Sequence, residues 1–263
     1  MIAHPTLLFS ALFAVIVSVI YGYAGWLLSK RVISSPEAQK AWNLFTVWWY
    51  ALGVTTLIGG LQNFLGAINL ENLPVFLTAA YVNILVICVA LWGLLYYLIY
   101  LFTGSSRSFT TLIVFYASYY VMLVYYITAG MPHDVNINRW STSISYSQPQ
   151  TGPFFGLVIA LLLLPQILGG IAYFTLYFRV TSATQKYRVL LVSVSIIVWF
   201  LSPLVAVIGG LSQYDWWQLA SRFIGLAAAL TILAAYLPPR WIKERYGIIS
   251  LSEETRAGGG YSF

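Results

Sequence analysis

Between Glu71 and Arg107 the sequence carries no charged residue. The stretch PVFLTAAYVNILVICVALWGLLYYLIYLFT, residues 74–103, measures about 45 Å as an α-helix, against a hydrocarbon core of roughly 30 Å. Such a run has one stable solution, a membrane-spanning helix that satisfies every backbone polar group internally. Its sides are not equivalent, because helical spacing puts Ala79, Asn83, Ala90, Gly93 and Tyr97 on one face. Small residues let helix backbones approach where lipid supplies no hydrophobic drive, so this face is expected to pack on other helices.

Composition extends the argument to the whole chain. Of 263 residues, 60% are hydrophobic and 8% charged, whereas a water-soluble domain carries about 25% charged residues. The expected fold class is therefore an all-α membrane protein, with the lipid bilayer as its principal partner. A net charge of +6 could suggest nucleic acid, but the basic residues sit at the ends of apolar runs. Membrane topology accounts for them, and no nucleic-acid partner is expected. The single cysteine, Cys88, excludes an intrachain disulfide.

The apolar runs predict a seven-transmembrane helix bundle, with helices at about 6–28, 42–67, 75–103, 109–130, 153–178, 189–211 and 217–237. The first run lacks preceding positive charge and is too long for a signal-peptide core, so it reads as an anchored helix. Lys30, Arg31, Lys40, Arg107, Arg179, Lys186, Arg188, Arg240, Lys243, Arg245 and Arg256 fall on one side, and Arg139 and Arg222 on the other. This asymmetry predicts an outside N-terminus and a cytoplasmic C-terminus. Residues 1–247 form the expected transmembrane domain and 248–263 a flexible cytoplasmic tail, in a prokaryotic cell membrane. In the longest connection, 132–152, the alternation of Trp140, Thr142, Ile144 and Tyr146 is compatible with a strand over the outer mouth.

The chain also echoes itself. Pro5 and Arg31 are spaced as Pro153 and Arg179 are, AQK at 38–40 is followed later by TQK at 184–186, and Trp49 and Trp199 each precede an IGGL. Helices one and two thus resemble helices five and six. With helix four as a linker this gives a 3+1+3 layout similar to SWEET transporters, although apolar text also aligns by chance.

Catalysis or metal binding at membrane depth needs clustered titratable groups. Glu37, Glu71, Asp134, Asp215, Glu244, Glu253 and Glu254 all fall in loops or tails, and His4 and His133 lie at the outer edge. No enzymatic activity, metal or cofactor is expected. Lys30, Lys40, Lys186 and Lys243 are cytoplasmic, which leaves no Schiff-base lysine for a rhodopsin. The remaining polar groups, Gln62, Asn63, Tyr81, Asn83, Tyr119, Tyr126, Ser221 and Arg222, reach one layer in the outer half and could form a ligand pocket. The alternative reading is interhelical hydrogen bonding by the amides, with Arg222 turned toward Asp215. Pro165 and Gln166 in helix five, with Pro203 in helix six, are candidate hinge positions, with ordinary proline kinks as the alternative reading. The Pro-Gln pair is similar to that of PQ-loop transporters, in which it acts as a hinge.

YLIYLFTG at 97–104, the Trp199-x-x-x-Pro203 of helix six and the exit AAYLPPRWIKERYG at 234–247 together resemble the N-terminal seven-helix sensory region of bacterial histidine kinases. That resemblance implies a receptor. No output domain follows Gly247 in this sequence, so signalling is expected to pass through a separate cytoplasmic or membrane partner. The functional expectation is a non-enzymatic membrane receptor or sensor for a small neutral or lipophilic ligand. The alternatives are a facilitative small-solute transporter with two triple-helix halves and an accessory subunit of a membrane complex.

Overall fold

The computed structural model describes residues 4–33, 35–148, 153–210, 216–251 and 253, without the side chains of 153–160, 162, 163, 166, 203, 206–210 and 218. Among the described residues the chain forms eight α-helices: α1 (Pro5–Ser29), α2 (Pro36–Ala67), α3 (Leu73–Thr103), α4 (Ser108–Ala129), α5 (Pro153–Thr175), α6 (Ala183–Gly210), α7 (Trp216–Tyr236) and α8 (Arg240–Tyr246). A hairpin of β1 (Pro132–Ile137) and β2 (Thr142–Tyr146) lies between α4 and α5. Six helical segments, in α1, α2, α3, α4, α6 and α7, are long and apolar enough to cross a membrane. This is the pattern of a multi-pass membrane protein.

Local signals explain the helix ends, and two of them correct the sequence reading. The second helix, expected from about 42, begins six residues earlier, at Pro36. Ser35 Oγ accepts from Ala38 N–H at 3.5 Å, Pro36 occupies the first turn and Glu37 lies near the positive end of the dipole. Likewise α6 begins at Ala183 rather than near 189. Hydropathy registers the membrane slab, whereas a helix continues into water for as long as caps and propensity support it. α3 starts at an Asn72 cap, whose Oδ1 accepts from Val75 N–H at 3.2 Å, and stops at Gly104. There a φ of +64° suits glycine and the N–H closes on Tyr100 O at 2.7 Å.

The principal contacts run α1–α2–α3–α5–α6–α7 and back to α1, a closed ring of six helices, with α4 packed against α3 from outside. Exchanging α1 with α5, α2 with α6 and α3 with α7 maps this set of neighbours onto itself. Small residues set the close approaches: a Cβ on Gly60 would lie 3.0 Å from Ala14 Cβ on α1. Among the described residues the interior of the ring is packed with aromatic side chains. Phe45 stacks on Tyr97 at 4.4 Å, Trp48 meets Trp199 edge-on at 5.2 Å, Tyr21 stacks on Trp49 at 6.1 Å and Trp42 meets Tyr236 at 6.5 Å. Trp42, Phe45, Trp48 and Trp49 are all fully buried. Trp49, Gly53, Gly60 and Asn63, which recur at helical spacing on one face of α2, are buried, and Thr56 on the same face is half-buried.

Residues 248–251 and 253, assigned by sequence to the flexible tail, are docked on α6. Arg188 Nη2 donates to Ile249 O at 3.1 Å, Ile249 N–H donates to Thr184 Oγ1 at 3.4 Å, and Ile248 and Leu251 are buried. A reciprocal cap ends the segment: Ser250 N–H and Oγ both donate to Glu253 Oε2 at 2.6 Å, and Glu253 N–H returns to Ser250 Oγ at 3.4 Å. Lys243 Nζ adds an ion pair at 2.9 Å. The Ser250 hydroxyl, then its backbone N–H, then Lys243, hold the Glu253 carboxyl down at about 2. A depressed folded-state value means that the carboxylate stabilises docking at neutral pH and that this is lost as pH falls from the ordinary glutamate range toward about 2. Hydrogen exchange at residues 249–253 is therefore expected to rise between about pH 4 and pH 2. Glu253→Gln should remove that pH dependence. The effect is small, because the pair is solvent-screened.

Candidate ligand pocket

Within the ring, α1, α2, α6 and α7 enclose a cavity of about 170 Å³. Its wall is made by Ala14, Val17 and Tyr21 from α1, Thr56 and Gly59 from α2, Trp199 and Ser202 from α6, and Ser221, Arg222 and Gly225 from α7. Arg222 lies six residues into α7, about 9 Å below the hairpin end of that helix. The opposite end of the cavity meets the aromatic filling, since Tyr21, stacked on Trp49, and Trp199, edge-on to Trp48, also line the wall.

The polar lining is built from hydroxyls whose own hydrogens are already used. Tyr21 donates to Gly225 O at 3.0 Å, tying α1 to α7. Ser202 donates to Ser221 O at 2.8 Å and lies 3.0 Å from Ser221 Oγ, tying α6 to α7. Thr56 donates to Leu52 O at 2.8 Å within α2. Arg222 Nη1 donates to Ser10 O at 2.7 Å, and Ser10 Oγ donates to Trp140 O at 2.8 Å. Ser10 is fully buried, so one residue of α1 links the guanidinium to the hairpin.

The hairpin is fixed at a second point, by Asn63. Its Oδ1 accepts from Thr142 N–H at 2.9 Å and from Thr142 Oγ1 at 3.1 Å. The strand expected in the 132–152 connection is present as β2, and its hairpin is held by α1 and α2. Asn63→Leu would strand the Thr142 amide, at a cost of about 1–3 kcal/mol. The expected result is faster limited proteolysis at 137–142 with the helices intact.

The structure brings only Arg222 and Ser221 of the expected layer to the cavity. Gln62 donates to Phe76 O at 3.4 Å and lines a separate, apolar groove between α2 and α3. Tyr81 hydrogen-bonds Thr128 at 3.3 Å, between α3 and α4. Asn83 is half-buried on α3, with a buried Oδ1 that has no partner among the described residues. Tyr119 is buried against the core from α4, and Tyr126 lies on the same helix; because α4 stands outside the ring, neither forms part of the cavity wall. Similar depth sets a level but not a direction around the helix, which is why Asn63, Asn83 and Arg222 do not converge. Tyr21, Thr56, Trp199 and Ser202 were not singled out from sequence as site residues. One signal was available, since Trp199 and Gly59 both belong to the repeated Trp…IGGL pattern.

Of the hinge positions, Pro165 lies inside α5, which continues through it to Thr175. The side chains of Gln166 and Pro203, and the whole of Asp215, lie outside the described residues. Among the described residues no group of three or more His, Cys, Asp or Glu side chains could hold a metal ion. Comparison with known protein families finds no match, and comparison with functionally curated proteins finds no significant similarity.

Proposed function

We propose that the chain is a seven-span membrane receptor, N-terminus outside and C-terminus cytoplasmic, that takes a small ligand into the Arg222 cavity from the outer side. The observation that carries this reading is a polar cavity with a guanidinium in its wall, set above an aromatic filling of the ring. Phe45, Trp48, Trp49 and Trp199 meet edge-on beneath the cavity, an arrangement that favours transmission of a signal over passage of a solute. α6 contributes Trp199 and Ser202 to the cavity and holds the docked C-terminal segment through Thr184 and Arg188. These pairs are about 21 Å apart along one rigid helix. Occupancy that shifts α6 is therefore felt at the cytoplasmic end, where a separate signalling partner would read it.

A second reading, a facilitative transporter of two triple-helix halves, is favoured by the two-fold pattern of helix neighbours and by the sequence echo. Filling the cavity separates the two. A Cβ on Gly59 meets nothing within 4 Å, so Gly59→Leu occupies the space without moving backbone. In a receptor, hydrogen exchange at Ile249 and Ser250 changes when the cavity is filled. Unchanged exchange there, in a folded variant, would remove the sensory reading.

A further inference from the structure

The cavity of the proposed receptor has an unbalanced set of hydrogen-bonding groups, and this identifies the class of ligand. Tyr21, Thr56 and Ser202 have each committed their single hydrogen to a backbone carbonyl, so none of them has a donor left for a ligand. Arg222 is the opposite case. Of the five N–H bonds of a guanidinium, Nη1 uses one on Ser10 O, and among the described residues no carboxylate faces the group. A cation within a helix ring at membrane depth is costly without a counter-charge, and such residues mark ligand or ion pathways. We infer that the cavity binds a short monocarboxylate, its carboxylate on the Arg222 fork and its hydrocarbon end against Ala14, Val17, Gly59 and the Trp199 ring.

Three properties narrow the class. The planar guanidinium matches two carboxylate oxygens at once, a fit that a spherical halide does not use. One cation neutralises one negative charge, which disfavours dicarboxylates and phosphate dianions. The volume, about 170 Å³, is close to the roughly 150 Å³ that accommodates benzene, a body of six non-hydrogen atoms. Butyrate has that many, and butyramide is its neutral isostere.

The inference rests on the ligand-pocket reading, and its test uses the purified full chain with sodium butyrate, butyramide or sodium chloride at equal ionic strength. Butyrate in excess is expected to raise the melting temperature by about 3 °C, while the other two leave it unchanged. Arg222→Gln should weaken butyrate binding roughly 10–100-fold. Arg222→Lys keeps the charge without the fork, guards against misfolding of the glutamine variant, and is expected to bind more weakly than wild type. Gly59→Leu leaves Arg222 in place and should abolish the shift by filling the space. Equal stabilisation by chloride would make this an inorganic-anion site, and equal stabilisation by butyramide would remove the role of charge; either overturns the inference. A shift that survives both Arg222→Gln and Gly59→Leu places butyrate elsewhere and overturns it as well. If butyrate has no effect while Gly59→Leu still alters exchange at Ile249, the carboxylate assignment fails alone and the receptor reading stands. If neither responds, both fail.

Discussion

Gly93→Ala is expected to loosen the packing of α2 on α3 and lower the melting temperature, although alanine is the better helix former. A Cβ at this position would stand 2.6 Å from the carbonyl oxygen of Leu44 and 3.4 Å from its carbon. Both atoms belong to the backbone of α2, so no side-chain rotation relieves the contact and the two helices must separate. The separation is felt beyond the pair. On α2, Phe45 stacks on Tyr97 of α3 and Trp42 meets the same ring edge-on, just beyond Gly93, and tightly packed interiors lose dispersion energy steeply over a fraction of an ångström. Overpacking of this kind costs about 1–3 kcal/mol, against roughly 1 kcal/mol gained from helix propensity. Gly22 supplies the control, because a Cβ there meets nothing within 4 Å, and Gly22→Ala should be neutral or stabilising. Thermal unfolding of both variants in detergent reads the difference; equal melting temperatures would mean that α2 and α3 do not approach as described.

Phe45→Ala is expected to have the largest effect of any single truncation in the ring. Phe45 is fully buried and touches four aromatic rings on three helices: Trp42 and Trp49 on α2, Tyr97 on α3 and Tyr173 on α5. Removing a buried phenyl ring leaves a cavity, at a typical cost of about 3–5 kcal/mol. In a membrane the loss is one of packing rather than of water exclusion, since lipid is as apolar as the core. The expected functional consequence differs from that of Gly93→Ala, because a hole beneath the Arg222 cavity would open space for solutes within the aromatic filling of the ring. Leakage of small solutes from proteoliposomes bearing Phe45→Ala, absent with wild type, would report that loss. A tight, normally stable variant would show that the aromatic filling is not what closes the ring.

Faces of helices were legible in the sequence, because small residues and tryptophans recur at helical spacing and only one face of a spanning helix can accommodate close backbone contact. Trp49, Gly53, Gly60 and Asn63 are buried as their spacing requires. Helix ends were less legible, since Ser35-Pro36-Glu37 reads as a break on a hydropathy scale and as a strong start by capping chemistry. The site was legible in its charge and not in its neighbours. Arg222 is conspicuous in an apolar chain, but Tyr21, Thr56, Trp199 and Ser202 become its companions only through the ring order of the helices. That order also puts the tyrosines of α4 outside, a placement that no local property of those tyrosines encodes.

The cavity's accessibility from one face of the membrane is tested most directly by a cysteine at its wall. Cys88 is the only native thiol and is buried, so Ser221→Cys in a Cys88→Ala background gives a single reporter in the pocket. A membrane-impermeant thiol reagent applied on the side of the β1–β2 hairpin is expected to label it, and the same reagent applied on the side of Gly247 is not. Adding Gly59→Leu should suppress the labelling. Labelling from the Gly247 side, or none from the hairpin side, would contradict a ligand pocket that opens outward above a closed aromatic ring.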